Sequence, residues 1–384
     1  MKRYLFLFLI FLAPTLFAQS AKYFYNQAAK ESSTQEKIKL YTKAINKAPT
    51  WALAYHQRAD VYKKQKRYKK AIEDYTNAIK FSYKDPFKYY ARALAYMEQG
   101  SYSPAMEDLT KAISLKNDYE DFYLKRAQCY MATNKYKLAL NDLKNVKKSD
   151  TRFLQAKAHY ELREYRAATN LLEELLEQNP QDTDVLLYLG KINNDIEFYD
   201  EAIAYFSQIL NIEPQNKAIL RARASAFKEI GLEEEVLKDY TALIELTPDS
   251  AAYNKRGMAY ERLKDWQNAI KDYDKAIELN PKFAAPYNNR AYALMKLKNF
   301  KEAKKDLDNA LKLAPKSPDI LINVAGYYWT VKKDKKNMYE NLQAAMKNNF
   351  KDFDSLYDDN QKGWLFKNIN ESLEFRSFSA PYSK

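Results

Sequence analysis

Apolar and polar side chains follow two superposed periods along this chain. Over short stretches the apolar residues recur at intervals of three and four, the spacing of one face of an α-helix. Over longer distances the whole pattern returns about every 34 residues. Prolines mark that longer period: Pro180, Pro214, Pro248, Pro281 and Pro315 are spaced 34, 34, 33 and 34 apart, and Pro49 lies one period before Tyr83, which holds the same place. Each of these follows one amphipathic run and precedes the next, where a proline ends one helix and sets off its successor. Pro86, Pro104, Pro286 and Pro318 fall at helix starts, where the missing N–H costs little.

With these prolines at position 32, units begin at Ala52, Pro86, Glu120, Thr151 (slightly shortened), Thr183, Lys217, Ser250 and Ala284. Position 4 carries Tyr55, Tyr89, Tyr123, Tyr253 and Tyr287, and position 11 carries Tyr62, Tyr96, Tyr130, Phe227 and Tyr260. Small residues hold position 8 (Ala59, Ala93, Ala127, Ala156, Gly190, Ala224, Gly257, Ala291) and position 20 (Ala71, Ala105, Ala139, Ala168, Ala202, Ala269, Ala303). Positions 4, 8 and 11 share one helical face, and the small residues let two antiparallel helices approach closely while large ones fill the flanks. Gly100 and Gly231 at position 15 suit the turn between them. One such hairpin cannot bury both its faces, so neighbours must stack. The fold class is therefore all-α, an α-solenoid of antiparallel helix hairpins.

At these residues the chain resembles the tetratricopeptide repeat family. The resemblance covers residues 52–317 in eight units, and it extends more weakly to both ends. Residues 19–51 keep Tyr41, Ala44 and Pro49 of a degenerate helix pair, and residues 318–350 keep Leu321, Ala325 and Tyr328 of a final one. Residues 351–384, with Phe353, Leu356, Trp364 and Phe366, resemble the capping segment that ends such arrays, where the last apolar face would otherwise be exposed.

The resemblance implies a right-handed superhelix with the first helix of each hairpin lining a concave groove. It also implies the contact positions there: His56, Asp60, Tyr90, Leu94, Met97, Leu124, Gln128, Met131, Phe153 and Tyr160 in the N-terminal half, then Asn254, Met258, Asn288 and Tyr292 further on. Tyr90, Leu94, Met97, Leu124, Met131 and Phe153 would form an exposed apolar strip, unless neighbouring turns or the tail cover it. The pairs His56/Asp60, Tyr90/Leu94, Leu124/Gln128 and Asn254/Met258 lack the alternating Lys, Asn and Arg with which similar proteins clamp a terminal carboxylate.

Comparing units also exposes a charge coupling. Position 7 is Arg58, Arg92, Arg126, Arg223, Arg256 and Arg290, and position 23 is Asp74, Asp108, Asp142, Asp239, Asp272 and Asp306. Both are replaced together in the two central units, by Gln155 with Leu171 and Leu189 with Tyr205. The two positions are equidistant from the turn, which predicts repeated ion pairs, within a hairpin or to its neighbour.

Net charge is uneven. Residues 19–150 hold 26 Lys/Arg against 14 Asp/Glu, a balance of +12, whereas residues 151–384 hold 35 against 36. The basic residues are densest at Lys63, Lys64, Lys66, Arg67, Lys69 and Lys70. This is either a solvated helix–turn–helix surface or a patch for an anionic partner such as an envelope glycan or lipid.

Residues 1–18 read as a secretory signal peptide: basic Met1-Lys2-Arg3, an apolar run from Tyr4 to Phe17, and Ala18 before polar Gln19. Pro14 interrupts that run, and it is shorter than the ~20 residues a spanning helix needs, which sets the alternative of an uncleaved anchor behind cleavage. After cleavage no segment is apolar enough to cross a membrane, so the expected place is the periplasm or cell envelope, or outside the cell.

Cys129 is the single cysteine, so it forms no internal bridge and reads as a small buried hydrophobe. Two histidines in different units, one cysteine and no phosphate-cradling glycine loop offer no metal site, cofactor site or nucleophilic dyad. These readings point to a non-enzymatic scaffold for a protein or peptide partner. Export argues against nucleic acid.

Overall fold

The structure, a computed structural model, describes residues 19–350. The signal peptide expected over 1–18 and the capping segment expected over 351–384 lie outside the described residues. The fold is all-helical, and the described residues contain no strand.

The chain divides after Pro180 into two compact units. In the first, α1 covers residues 19–30 and α2 Thr34–Lys47. Hairpins α3/α4 (Ala52–Lys64, Tyr68–Phe81), α5/α6 (Pro86–Glu98, Tyr102–Leu115), α7/α8 (Glu120–Ala132, Tyr136–Leu143) and α9/α10 (Arg152–Glu161, Tyr165–Gln178) follow. The second unit holds α11/α12 (Thr183–Asp195, Tyr199–Ile212), α13/α14 (Lys217–Glu229, Glu233–Leu246), α15/α16 (Ser250–Arg262, Trp266–Leu279) and α17/α18 (Ala284–Lys296, Phe300–Leu313). It continues with α19 (Pro318–Tyr327), a short π-helical turn Tyr328–Lys332, and α20 (Lys335–Lys347). No helix of the described residues is long and apolar enough to cross a membrane.

Every hairpin from α3/α4 to α17/α18 closes with the same three-residue turn. Its middle residue is left-handed, at Gly100 and Gly231 but also at Lys66, Asn134, Arg163, Glu197, Lys264 and Lys298. The residue after it returns an N–H to a carbonyl five places back, as Arg67 does to Tyr62 (2.9 Å) and Asp265 to Tyr260 (2.8 Å). These bonds satisfy orphan carbonyls at the end of the first helix. They also let non-glycine residues stand where left-handed backbone costs an L-residue about 1–2 kcal/mol.

Small residues at the helix crossings are fully buried, among them Ala59, Ala93, Ala127, Ala71 and Ala105. Two crossings demand glycine. A methyl group on Gly190 would lie 2.5 Å from Phe206, and one on Gly257 would lie 2.6 Å from Tyr273. At these two crossings the ring at position 24 sits against the glycine itself, whereas Tyr75 at the same position packs with Ala59. In the second unit the largest apolar cluster gathers Met295, Leu307, Ile322, Met338 and Leu342. Helix α19 is buried along Ile320–Tyr327, as its hydrophobic all-round sequence requires.

All six predicted arginine–aspartate pairs form, and each is bidentate. Arg126 donates from Nε and Nη2 to Asp142 at 2.7 Å each, and Arg256 to Asp272 at 2.8 Å each. The carboxylates are almost wholly buried, Asp142 at 2% exposure. The open choice between intra- and inter-hairpin pairing resolves as intra-hairpin for all six pairs. The third donor of each fork, Nη1, reaches back to the preceding hairpin: Arg58 to Thr42, Arg92 to Thr76, Arg126 to Thr110, Arg223 to Ser207, Arg256 to Thr241 and Arg290 to Asp274. One guanidinium thus ties three helices. Hydrogen bonds to Asp142 and Asp272 hold Arg126 and Arg256 above the ordinary arginine range.

The tyrosines at positions 4 and 11 belong to the same device. Arg126 lies over Tyr123 and Tyr130 at 5.8 Å each, and Arg58 over Tyr55 at 5.8 Å. Rings above and below a partly desolvated guanidinium add cation–π attraction and exclude water from the ion pair.

Candidate partner-binding surfaces

The groove residues implied by the family resemblance lie on the first helices, and the structure sorts them into three kinds. In α3, burial holds His56 below the ordinary histidine pKa, its Nδ1 is buried without a hydrogen-bond partner, and its Nε2 stands 3.7 Å from Asp60. Asp60 accepts the hydroxyl of Tyr75, a buried ring on α4. Both residues therefore act partly inside the hairpin.

The second kind is the apolar strip of the N-terminal half. Tyr90, Leu94, Met97, Leu124, Met131 and Phe153 are all half-buried, and none is fully exposed. Tyr90 and Met97 pack against a core of Ala93, Leu109 and Cys129, while Leu124 and Met131 pack against Ala127 and Leu143. Tyr90 also donates to Asp121 and packs at a tilt against Phe122, with ring centres 5.1 Å apart. Phe153 carries Lys157 over its ring at 5.6 Å. Tyr160 packs near Tyr165, with ring centres 6.1 Å apart, and Gln128 is half-buried. The freely exposed apolar strip is thus revised to a half-buried one, because these side chains fill gaps between stacked hairpins. Cys129 is fully buried, and burial pushes its thiol up to about 11.

In the third group, Asn254, Asn288 and Tyr292 are buried rather than open contacts, with Asn288 at 5% exposure. Here the expectation is corrected. Asn254 accepts from Asn289 at 3.1 Å and Asn288 from Asn323 at 3.0 Å. A buried amide needs a partner, and the neighbouring first helix supplies it. The recurrence of Asn254, Asn288/Asn289 and Asn323 at the repeat period was the available sequence signal for this row, and the family contact positions passed over half of it.

These asparagines, with Met258, Tyr292, Lys255, Lys264 and Ile320, line a concavity of about 1250 Å³ formed by successive first helices α15, α17 and α19. A smaller cavity of about 290 Å³ adjoins it and shares Lys255, Met258 and Arg262; its other walls include Arg221, Glu233 and Tyr240. Asn254 and Met258 are the members of the implied groove set that fall in the larger concavity on α15, Asn288 and Tyr292 those on α17.

The basic residues gather at the α3–α4 turn. Lys64, Lys66, Arg67, Lys69 and Lys70 are exposed and Lys63 is half-buried. Arg67 and Lys70 lie over the Tyr62 ring at 4.9 and 5.9 Å. Lys69 and Lys70 stand in the first turn of α4, where the helix end is itself partly positive and no acidic residue offsets them. Among the described residues no group of three or more His, Cys, Asp or Glu side chains could hold a metal ion.

Comparison with known proteins agrees with this architecture. Tetratricopeptide repeat profiles match residues 153–218, 250–283 and 284–317, a TPR repeat profile matches 59–100, and that of anaphase-promoting complex, cyclosome, subunit 3 matches 98–175. Human tetratricopeptide repeat protein 13 is 28% identical over 95 residues, 25% of this chain and 11% of that protein. Hsp70-Hsp90 organizing protein 2 of Arabidopsis thaliana is 25% identical over 124 residues, 31% of this chain and 22% of that protein. The chain therefore spans between about a tenth and a fifth of these relatives' length. Among solved structures, MamA from Desulfovibrio magneticus RS-1 aligns at 18% identity with a TM-score of 0.40, over 44% of this chain and 97% of that one. Period, paired helices and profile matches along both units agree: the chain belongs to the tetratricopeptide repeat family.

Proposed function

We propose that this chain is an exported, non-enzymatic scaffold that holds a segment of a partner protein along its first helices. The observation that carries the reading is the concavity of about 1250 Å³, to which three successive hairpins contribute the same helix face. Such a surface is extended and repetitive, which suits an elongated polypeptide better than a compact small molecule. The kinship with an organizing protein of two chaperones supports the same class of role. Export rests on residues 1–18. Affinity capture from envelope extract with the full chain tests the scaffold: specific recovery of a protein supports it, and recovery of nothing above a scrambled control rejects it. Amino-terminal sequencing of the secreted fraction tests export, with Gln19 expected first.

A second reading, binding of an anionic envelope glycan or lipid, is favoured by one feature. Five exposed cations crowd a turn and the positive end of α4, an arrangement that costs stability unless an anion answers it. Salt separates the two readings. Binding through exposed lysines weakens steeply as the Debye length falls to about 8 Å near physiological ionic strength, whereas binding in a half-buried groove persists.

A further inference from the structure

The hairpin turns of the two units share a backbone but not their side chains. In the first unit the residues before and after the left-handed one are Gln65 and Arg67, Gln99 and Ser101, Thr133 and Lys135, and Leu162 and Glu164. All are polar except Leu162, which is half-buried. In the second unit the residue before is Ile196, Ile230, Leu263 or Leu297, and two turns add Phe198 and Leu232 after. All of these but Ile230 are exposed, Phe198 at 57%. The first unit closes the same turn without them, so the turn itself has no need of this apolar row.

Successive hairpins of the second unit pack with the same order of helices, so their turns follow one another along one edge. Charge changes sign along it. Counted within four residues of each left-handed residue, the balance runs −4, −3, 0, +2 and +3 from the Glu197 turn to the Lys333 turn. The first turn has Asp195, Glu197, Asp200 and Glu201 with no cation, and the last has Lys332, Lys333, Lys335 and Lys336 against Asp334. Pairing inside the chain does not cancel this gradient. Lys228 answers Glu229, Arg262 answers Glu233 and Lys238 answers Glu235. Glu197, Glu201 and Glu234 at one end, and Lys298, Lys332 and Lys333 at the other, are exposed and have no ion pair among the described residues. Carboxylates suit the first turns of α12 and α14, where the helix end is partly positive. The same field opposes Lys335 and Lys336 in the first turn of α20, so the basic end has no such local reason.

We propose that the second unit pairs edge to edge with a second copy of this chain, antiparallel, about a two-fold axis at the α15/α16 turn. An axis through that neutral turn sets the most acidic turn against the most basic one, and the second turn against the fourth, at both ends at once. A parallel arrangement would set like charges together. Leu263 then meets its own copy, and Leu232 meets Leu297 of the other chain. The pairing covers the apolar row and answers both runs of charge. It goes beyond the scaffold reading and stands without it, since a chain that holds no partner segment can still pair with itself.

Sedimentation of the full chain at low ionic strength is expected to show a dimer at about 100 μM. That dimer should weaken as salt shortens the Debye length to about 8 Å near physiological ionic strength. A monomer throughout, or a dimer indifferent to salt, overturns the proposal, and growth beyond the dimer overturns its two-fold closure. Two charge reversals at exposed sites test the pairing, E197K/E201K/E234K at the acidic end and K298E/K332E/K333E at the basic end. Each alone is expected to pair at least about tenfold more weakly than wild type. An equal mixture of the two is expected to pair again, because the unaltered basic end of one faces the unaltered acidic end of the other. Recovery on mixing also shows that neither variant has lost its fold. Undiminished pairing of either variant alone, or a mixture no tighter than its components, sinks the idea. Cysteine crosslinking locates the axis, with Cys129 buried and so silent. Leu263→Cys is expected to join to its own copy on oxidation, and Ile196→Cys, two hairpins away, is expected not to. Equal or reversed crosslinking of the two rejects the antiparallel edge.

Discussion

Of the eight hairpins from α3/α4 to α17/α18, six carry an arginine fork and two, α9/α10 and α11/α12, do not. The difference goes deeper than one ion pair. Where Arg and Asp are replaced by Gln155 with Leu171, or by Leu189 with Tyr205, the flanking aromatics at positions 4 and 11 vanish too, leaving Arg152 and His159 in α9 and Leu186 and Asn193 in α11. Leu186 and Leu189 are fully buried in α11. The same backbone is therefore held in two ways, by a caged charge pair or by ordinary apolar packing. A caged pair is a cooperative unit, since each member left alone is a buried charge or an unfilled gap.

The sharpest test breaks one half of a fork. Arg256→Leu leaves Asp272, 5% exposed, without its counter-ion and should destabilise α15/α16 by about 3–5 kcal/mol. The double change Arg256→Leu with Asp272→Tyr copies α11/α12 and should recover most of that loss. Denaturant unfolding of the full chain, followed by hydrogen exchange of the α15/α16 amides, measures both. If the double variant is as weak as the single one, the two hairpin types are not interchangeable and the comparison fails.

Much of this was legible in the sequence, for a physical reason. The hairpin repeats, so each position is sampled eight times, and the coincident loss of Arg and Asp at positions 7 and 23 reveals a contact that no single unit could. Helix pairing, the left-handed turn at Gly100 and Gly231 and the burial of Cys129 were readable likewise. What stayed hidden was set by neighbours in space rather than by the period. Lys264 and Glu197 give no sequence sign of left-handed backbone, because the stabilising bonds come from the turn's own main chain. The third arm of each arginine, to Thr76 or Ser207, depends on how hairpins stack. The candidate site was the least legible. Whether Tyr90 or Asn288 faces a partner or a neighbouring helix turns on a rotation of the helix that spacing alone does not fix.

A gentler probe of the comparison uses the two glycines. Gly257 lies in a forked hairpin and Gly190 in an unforked one, and each faces an aromatic ring at nearly the same distance. Alanine at either site should overpack the crossing and cost about 1–3 kcal/mol. With helix pairs fixed by the fork, α15/α16 has less freedom to slide apart, so Gly257→Ala should sit at the upper end and Gly190→Ala at the lower. Equal losses would mean that the fork adds no rigidity at the crossing. Thr76→Val cuts the inter-hairpin arm of Arg92, which is 2.9 Å long and partly wet, together with the hydroxyl's own bond to the Ile72 carbonyl, and should cost about 0.5–1.5 kcal/mol. An unchanged melt would reduce the fork to a purely intra-hairpin device.

The smallest effect concerns the rings. Tyr130→Leu removes one face of the Arg126 cage while keeping apolar volume, so its loss divides into packing and cation–π parts. A double-mutant cycle isolates the second. In the wild-type background the change should cost about 0.5–1 kcal/mol more than in a background carrying Arg126→Leu and Asp142→Leu. That coupling is what distinguishes a tyrosine that cages an ion from one that merely fills space. Hairpin α13/α14 offers an internal control, since Arg223 has Phe227 at position 11 and Leu220 at position 4. If coupling scales with the number of rings, α13/α14 should show about half of what both rings of α7/α8 contribute together. No coupling in either hairpin would make the joint loss of arginine and aromatics in α9 and α11 a matter of volume alone.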